Sequence, residues 1–155
     1  MKRDQVRADI LLAEDNPSDA ELILQVLGEV APVSRVHRVQ DGVEALEYLR
    51  TRSASPGSGV PGPLHLVFLD VKMPRVGGLE VLRAIRSDPA TRHVPVVMLT
   101  SSNIQSDVRE AYQLGANAYV QKPVDFLRFR DVVRLMGRFW AEINEVPAPG
   151  SPSVP

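Results

Sequence analysis

Side chains able to hold a divalent cation and a phosphoryl group follow the short apolar runs of this sequence. Three carboxylates, one hydroxyl and one ammonium group stand at the ends of such runs: Glu14, Asp15, Asp70, Thr100 and Lys122. If the runs are parallel strands, their carboxyl ends share one edge of a sheet, where open α/β sheets bind their ligands. The sequence therefore predicts that these five side chains meet in one site.

The charges of this set indicate a metal ion and a phosphoryl group. At ~4 Å and an effective dielectric constant of about 20, two like charges repel by about 4 kcal/mol. Adjacent carboxylates therefore need a cation or raised pKa values. Hard oxygen ligands alone favour Mg²⁺ or Mn²⁺. Lys122 and Thr100 could stabilise phosphoryl oxygens, and Asp70 could attack phosphorus to form an aspartyl phosphate.

The elements that must position these side chains alternate along the chain. Short apolar segments predict strands near residues 10–13, 33–39, 64–69, 96–99 and 118–120. Apolar residues at helical spacing predict helices near residues 20–27, 43–49, 79–85 and 108–112, and a long helix from Phe126. Nearly continuous apolar strands need cover on both faces. The predicted fold class is α/β, an open, doubly wound parallel sheet of five strands with five helices.

Composition excludes several classes of protein. The 155 residues suit one domain, and the absence of cysteine excludes disulfides and thiolate sites and fits a cytoplasmic setting. A net charge of −1 without a basic block argues against nucleic-acid or membrane partners. The apolar run before Glu14 is too short for a signal or membrane segment.

Prolines mark the limits of the predicted domain. Residues 51–63 contain three of them and residues 146–155 contain four, so neither stretch suits a helix or a central strand. We expect a folded domain over residues 1–144, an exposed Pro/Gly/Ser loop at 51–63, and a disordered Pro-rich tail at 145–155.

The ordered set of motifs resembles the receiver domain of two-component response regulators. The resemblance rests on Glu14-Asp15-Asn16, Asp70-x-x-x-Pro74-x-x-x-Gly78, Thr100 and Lys122-Pro123. It implies a flavodoxin-like sheet of strand order 2-1-3-4-5. It also implies that Asp70 accepts a phosphoryl group from the phosphohistidine of a sensor histidine kinase. Such a protein is no conventional enzyme, but it catalyses its own phosphorylation and slow dephosphorylation.

The same resemblance assigns further roles. Mg²⁺ or Mn²⁺ would be bound by Asp15, Asp70 and the backbone carbonyl of Lys72, with Glu14 acting through water. Thr100 would turn inward to the phosphoryl group, and Tyr119 would move into the space it vacates. The face formed by helix 4, strand 5 and helix 5 would then be the output surface.

A narrower resemblance is to stand-alone regulators paired with bacterial phytochrome kinases. It rests on the Pro/Gly/Ser stretch before the third strand and on an extended last helix containing Phe139-Trp140. It implies a light-sensing kinase as partner and a homodimer formed through helix 4, strand 5, helix 5 and the extension of the last helix.

Each residue also has a purely structural interpretation. Glu14-Asp15 could cap the helix that begins at Pro17, and Asp70 could form a loop salt bridge with Lys72. Lys122-Pro123 could simply end a strand. Thr100 could serve only sheet packing, and Tyr119 could be a static, half-buried ring.

Three other functions compete with the receiver interpretation. A phosphatase of the haloacid type resembles Asp-x-Asp, but Lys72 stands at the second position after Asp70. A flavin or nucleotide carrier would need a glycine-rich phosphate loop after the first strand, which the sequence lacks. A receiver-like interaction module that works without phosphorylation remains open.

Overall fold

The computed structural model describes residues 8–32, 34–54 and 64–147. In this part of the chain, five parallel strands form one sheet of order β2-β1-β3-β4-β5. The strands are β1 (Asp9–Ala13), β2 (Arg35–Val39), β3 (Leu64–Leu69), β4 (Val96–Thr100) and β5 (Ala118–Gln121). The predicted flavodoxin-like order is confirmed.

Five α-helices connect and follow the strands in the described residues. They are α1 (Pro17–Val30), α2 (Gly42–Ala54), α3 (Gly78–Ser87), α4 (Gln105–Gln113) and α5 (Phe126–Gly137). The last helix does not end at Gly137, because a π-helical turn continues it over Arg138–Ile143. None of the described helices is both long enough and apolar enough to cross a membrane.

The core consists of two apolar layers, one on each face of the sheet. Leu11 of β1 packs in the layer under α2, α3 and α4, while its neighbours Ile10 and Leu12 pack in the layer under α1 and α5. This alternation follows from the two-residue period of a strand. Phe68 is fully buried in the second layer, and its replacement by Ala would cost about 3–5 kcal/mol. The continuous apolar runs therefore exist because both faces are covered.

The register of the sheet brings the strand ends together. Ala13 pairs with Leu69 across β1 and β3, Leu69 pairs with Met98, and Thr100 pairs with Gln121. The residues that follow β1, β3, β4 and β5 therefore lie along one edge, as the sequence predicts.

The prediction of a loop over residues 51–63 is wrong at its start. Helix α2 continues to Ala54, because Arg52 donates hydrogen bonds to Asp9 Oδ2 at 3.0 Å and to the Tyr48 hydroxyl at 3.1 Å. The first helix-breaking proline of the segment is Pro56. Residues 55–63, residues 148–155 of the predicted tail and residues 1–7 lie outside the described part of the chain.

Candidate functional site

The three predicted carboxylates form one group, called here the acidic cluster. Glu14, Asp15 and Asp70 each offer an oxygen, and these oxygens lie within 4.8 Å of one another. Glu14 and Asp70 are buried, whereas Asp15 is exposed. A set of hard oxygens with one open side fits a divalent cation that keeps part of its water shell.

The loop between β1 and α1 holds Glu14 and Asp15 in place. The N–H of Glu14 donates to the Val39 carbonyl at 3.1 Å, and its carbonyl accepts from Arg38 Nε and Nη2 at 3.2 and 3.1 Å. The cap of α1 is Asn16, whose side chain accepts from the Asp19 N–H at 3.0 Å. The interpretation of Glu14-Asp15 as a helix cap is therefore wrong.

Both oxygens of Asp70 have hydrogen-bond donors. Oδ1 accepts from the Thr100 hydroxyl at 2.7 Å and from the Lys72 N–H at 3.3 Å, and Oδ2 accepts from Lys122 Nζ at 3.0 Å. The exposed Lys72 side chain forms no ion pair with Asp70, so the salt-bridge interpretation fails for these two described residues. Gly78 lets the start of α3 lie against the backbone of Asp70, since a Cβ at position 78 would overlap the Asp70 carbonyl oxygen.

Lys122 contacts three carboxylates at once. Its Nζ binds Glu14 Oε1 at short range and lies 3.0 Å from both Asp19 Oδ2 and Asp70 Oδ2. Its backbone N–H donates to the Thr100 carbonyl at 2.7 Å, which places the residue at the sheet edge. Lys122 does more than end a strand, because its buried ammonium group is the central cation of the site.

Asp19 is a site residue that the sequence analysis missed. It lies in the first turn of α1, two residues after Pro17. The sequence carried no specific signal for it, because an acid in the first turn of a helix is common for reasons of capping and dipole alone.

Burial and the ion pairs shift the pKa values of the site. Burial raises the pKa of the Glu14 carboxyl from its ordinary 4.5 to about 8, although the bond and the charge of Lys122 oppose the shift. Burial by itself lowers the pKa of the Lys122 ammonium. The hydrogen bond to Glu14 and the charges of Asp70 and Glu14 outweigh burial, so the Lys122 pKa rises above its ordinary value.

A chain of hydrogen bonds leads from Asp70 to Tyr119. The Ser102 N–H donates to the Thr100 hydroxyl at 3.2 Å, and the Ser102 carbonyl accepts from the Tyr119 hydroxyl at 2.9 Å. The Ser102 hydroxyl lies 2.7 Å from Asp107 Oδ2 in the first turn of α4. Thr100 and Tyr119 therefore already face inward in this structure.

A second ion pair supports the loop that follows Asp70. Arg75 donates to Asp41 Oδ2 from Nη2 at 2.6 Å and from Nε at 3.0 Å. Asp41 Oδ1 accepts from the Glu44 N–H at 2.9 Å. The bond from Glu44, followed by the bond from Arg75, lowers the pKa of the Asp41 carboxyl. This pair is not predictable from the sequence, because its partners lie on separate loops.

Large apolar side chains are exposed on and around α4, α5 and the π-helical turn. This group comprises Ile104, Tyr112, Leu127, Leu135, Phe139 and Ile143. By contrast, Phe129, Val133 and Met136 of α5 are buried against the sheet. The long last helix thus has one face in the core and a second apolar face turned outward.

Comparison with known protein families matches a family model to most of the chain. The model describes the response regulator receiver domain and covers residues 10–134. Among curated proteins, the probable methanogenesis regulatory protein FilR2 of Methanothrix harundinacea is 36% identical over 140 residues, covering 90% of this chain and 88% of that protein. Response regulator Rcp1 of Synechocystis sp. PCC 6803 is 32% identical over 139 residues, covering 90% and 92%.

Solved structures agree with this match. The phosphorylated cyanobacterial phytochrome response regulator RcpA aligns with a TM-score of 0.83 at 32% identity, covering 92% of this chain and 99% of that chain. The Mn²⁺-bound form of Rcp1 aligns at 0.81 and 30% identity, covering 91% and 99%. The bacteriophytochrome response regulator RtBRR aligns at 0.67 and 44% identity, covering 94% and 87%.

Proposed function

The chain belongs to the response regulator receiver family, and from that premise we propose that it accepts a phosphoryl group on Asp70 from a sensor histidine kinase. The observation that carries this proposal is the surroundings of one carboxylate. Asp70 is held by the Thr100 hydroxyl and the Lys122 ammonium and lies beside two further acids at the sheet edge.

In the proposed step, a carboxylate oxygen of Asp70 attacks the phosphorus of the kinase's phosphohistidine. The new P–O bond forms as the P–N bond breaks, and the imidazole leaves with the electron pair and takes up a proton. Lys122 and Thr100 would move their hydrogen bonds to the phosphoryl oxygens and stabilise the charge of the transfer. The same residues would later serve slow hydrolysis, so the chain would catalyse its own phosphorylation and dephosphorylation.

A divalent cation fits the acidic cluster, and we propose Mg²⁺ or Mn²⁺. Asp15, Asp70 and the Lys72 carbonyl would hold it, and Glu14 would act through water because one of its oxygens already binds Lys122. When bound, the ion would neutralise charge on the transferred group. The Mn²⁺-bound form of Rcp1 is a neighbour of this chain, which supports the choice.

We further propose that phosphorylation changes the face formed by α4, β5 and α5. Thr100, Ser102 and Tyr119 link Asp70 to that face by consecutive hydrogen bonds. A phosphoryl group that takes over the Thr100 bond would shift the balance between two packings of this segment.

The kinase partner we propose is a bacterial phytochrome. The support is the similarity to RcpA, which is named as a cyanobacterial phytochrome response regulator, and to RtBRR, which is named as a bacteriophytochrome response regulator. We place the exchange in the cytoplasm, in keeping with a chain that contains no cysteine.

Phosphotransfer tests this pairing. A bacteriophytochrome kinase carrying labelled phosphohistidine should transfer its label to the wild-type chain and not to Asp70→Asn, and it should do so faster than an unrelated histidine kinase. Equal transfer from both kinases would contradict the phytochrome pairing. Absence of transfer from either would favour an interaction module that works without phosphorylation.

We also propose a homodimer in which a second copy covers the exposed apolar residues of α4, α5 and the π-helical turn. Leu135, Phe139 and Ile143 recur every four residues, which makes a continuous apolar stripe along one side of the helix. An apolar stripe of this kind is typical of an interaction surface.

A further inference from the structure

We propose that Asp19 is a positioning residue that holds the ammonium group of Lys122 in place during phosphoryl acceptance. This inference rests on the proposed function, because it concerns the cation that would bind the phosphoryl group. Its basis is that Lys122 contacts Asp19 as closely as it contacts the acceptor itself, with both Nζ–Oδ2 distances at 3.0 Å.

The number of donors on Lys122 matches the number of its acceptors. A lysine ammonium has three N–H donors, and the Nζ atom has three carboxylate partners in Glu14, Asp19 and Asp70. Only 6% of the Lys122 side chain is exposed. The direction of each N–H is therefore fixed by the protein, and Asp19 supplies one of the three fixed points.

Asp19 contacts Lys122 but is not one of the predicted metal ligands. Among the described residues, the carboxylates that could share a cation are Glu14, Asp15 and Asp70, and Asp19 is not one of them. Glu14 and Asp70 thus belong to the acidic cluster as well as contacting Lys122. The Asp19 carboxylate contacts the ammonium group without belonging to that cluster.

The position of Asp19 is set by the start of α1. Its N–H donates to the Asn16 side chain that caps the helix, at 3.0 Å, and Pro17 begins the first turn. Helix α1 is anchored to the sheet by buried Ile23 and Leu27. A carboxylate on a capped and anchored first turn can hold a lysine more firmly than one on a loop.

This arrangement matters when Asp70 is modified. Formation of the aspartyl phosphate removes the negative charge of the Asp70 carboxylate. The N–H that Lys122 donates to Asp70 Oδ2 would then be donated to a phosphoryl oxygen instead. Glu14 belongs to the acidic cluster, so its contact with Lys122 would respond to a bound cation. The contact with Asp19 can persist through the reaction, so Lys122 stays beside Asp70 while its other contacts change.

The test separates phosphoryl affinity from metal affinity. Beryllofluoride, a phosphoryl mimic, would be titrated by calorimetry in excess Mg²⁺ into wild type, Asp19→Ala and Asp19→Asn, and Mg²⁺ alone would be titrated in parallel. We expect Asp19→Ala to weaken beryllofluoride binding about fivefold, the upper end of what a partly exposed ion pair contributes. Mg²⁺ affinity should stay within about twofold because Asp19 is no ligand. Asp19→Asn keeps an acceptor oxygen and should recover most of the loss.

Two controls make the result specific. Glu21→Ala removes the same charge from an exposed position of α1 and should bind both probes as wild type does. In a Lys122→Met background, Asp19→Ala should weaken beryllofluoride binding no further, since the two residues act together. If Asp19→Ala binds beryllofluoride as tightly as wild type, or loses Mg²⁺ affinity equally, the inference is overturned. If wild type binds no beryllofluoride, the proposed function itself fails.

Discussion

The hydroxyl of Thr100 donates a hydrogen bond of 2.7 Å to Asp70 Oδ1, with both residues buried at the ends of neighbouring strands. The same hydroxyl accepts from the Ser102 N–H at 3.2 Å. One buried oxygen thus joins the proposed acceptor to the segment leading into α4. A group added to Asp70 must take over or redirect this bond, which is how chemistry at the site would reach a distant surface.

Removal of the Thr100 hydroxyl should destabilise the fold. Thr100→Ala leaves Asp70 Oδ1 and the Ser102 N–H without this partner, and we expect a loss of about 1–2 kcal/mol in the free energy of unfolding. Thr100→Ser keeps the hydroxyl and should retain most of the stability. Urea unfolding of the three proteins measures the difference, and an Ala variant as stable as wild type would contradict the assigned bond.

Tyr119 should ionise at higher pH than a free tyrosine. Burial raises the pKa of its phenol above the ordinary 10, and the charges of Asp107 and Asp70 add to the shift against the opposing bond to Ser102. The folded state favours the neutral phenol, so this contribution to stability is present below pH 10 and is lost as the pH rises through the shifted pKa. The difference in ultraviolet absorbance between wild type and Tyr119→Phe isolates the titration of this phenol. A midpoint at or below pH 10 would count against the half-buried position of Tyr119.

Lys122 should stabilise the metal-free protein by neutralising the acidic cluster. Lys122→Met leaves Glu14 and Asp70 without their cation, and we expect a loss of about 3–5 kcal/mol in EDTA. Mg²⁺ should restore more stability to this variant than it adds to wild type, because the ion replaces the missing charge. Melting temperatures with EDTA and with Mg²⁺ test this. Arg83→Met, at an exposed position of α3, is the control, and equal Mg²⁺ shifts in all three proteins would refute the prediction.

Asp41 should contribute to the acid sensitivity of the fold. Its pKa is lowered from the ordinary 3.8 by the Glu44 N–H and by Arg75. A lowered pKa stabilises the folded state above the unfolded value, and that stability is lost as the pH falls through the folded pKa. Asp41→Asn should therefore be less stable than wild type at pH 7, and this difference in stability should shrink as the pH drops to below 3.8. Unfolding midpoints of both proteins across that pH range measure the difference. A difference that does not change with pH would contradict the prediction.

The proposed homodimer should depend on the outward apolar stripe. Ile143→Glu places a charge on a side chain that is 66% exposed, so the monomer should fold normally while self-association weakens at least about tenfold, or about 1.4 kcal/mol. Sedimentation equilibrium gives both dissociation constants. Arg50→Gln on α2 makes the same change in net charge away from the stripe. If this variant weakens self-association as much as Ile143→Glu does, net charge and not the apolar stripe controls self-association.

The fold and the central site residues were predictable because each depends on a local pattern. Residues 10–13 of β1 and 66–69 of β3 form continuous apolar runs because helices cover both faces of the sheet. Parallel strands bring Asp15, Asp70 and Lys122 to one edge whatever the details of packing. The resemblance to receiver domains then added roles that spacing alone leaves open.

The supporting contacts were not predictable in the same way. Asp19 reaches Lys122 only through the phase of α1 and the choice of rotamer, and Asp41 meets Arg75 across two loops. The last turn of α2 is held by the hydrogen bond that Arg52 donates to Asp9, a residue 43 positions away in sequence. Such pairs depend on three-dimensional packing, which overrides local propensity.

The intact mass of the chain after incubation with Mg²⁺ and acetyl phosphate tests whether Asp70 accepts a phosphoryl group. We expect an increase by one phosphoryl group in wild type, no increase when EDTA replaces Mg²⁺, and none in Asp70→Asn. A wild-type chain that gains no phosphoryl group, or an Asp70→Asn variant that gains it equally well, would contradict the claim that Asp70 is the phosphoryl acceptor.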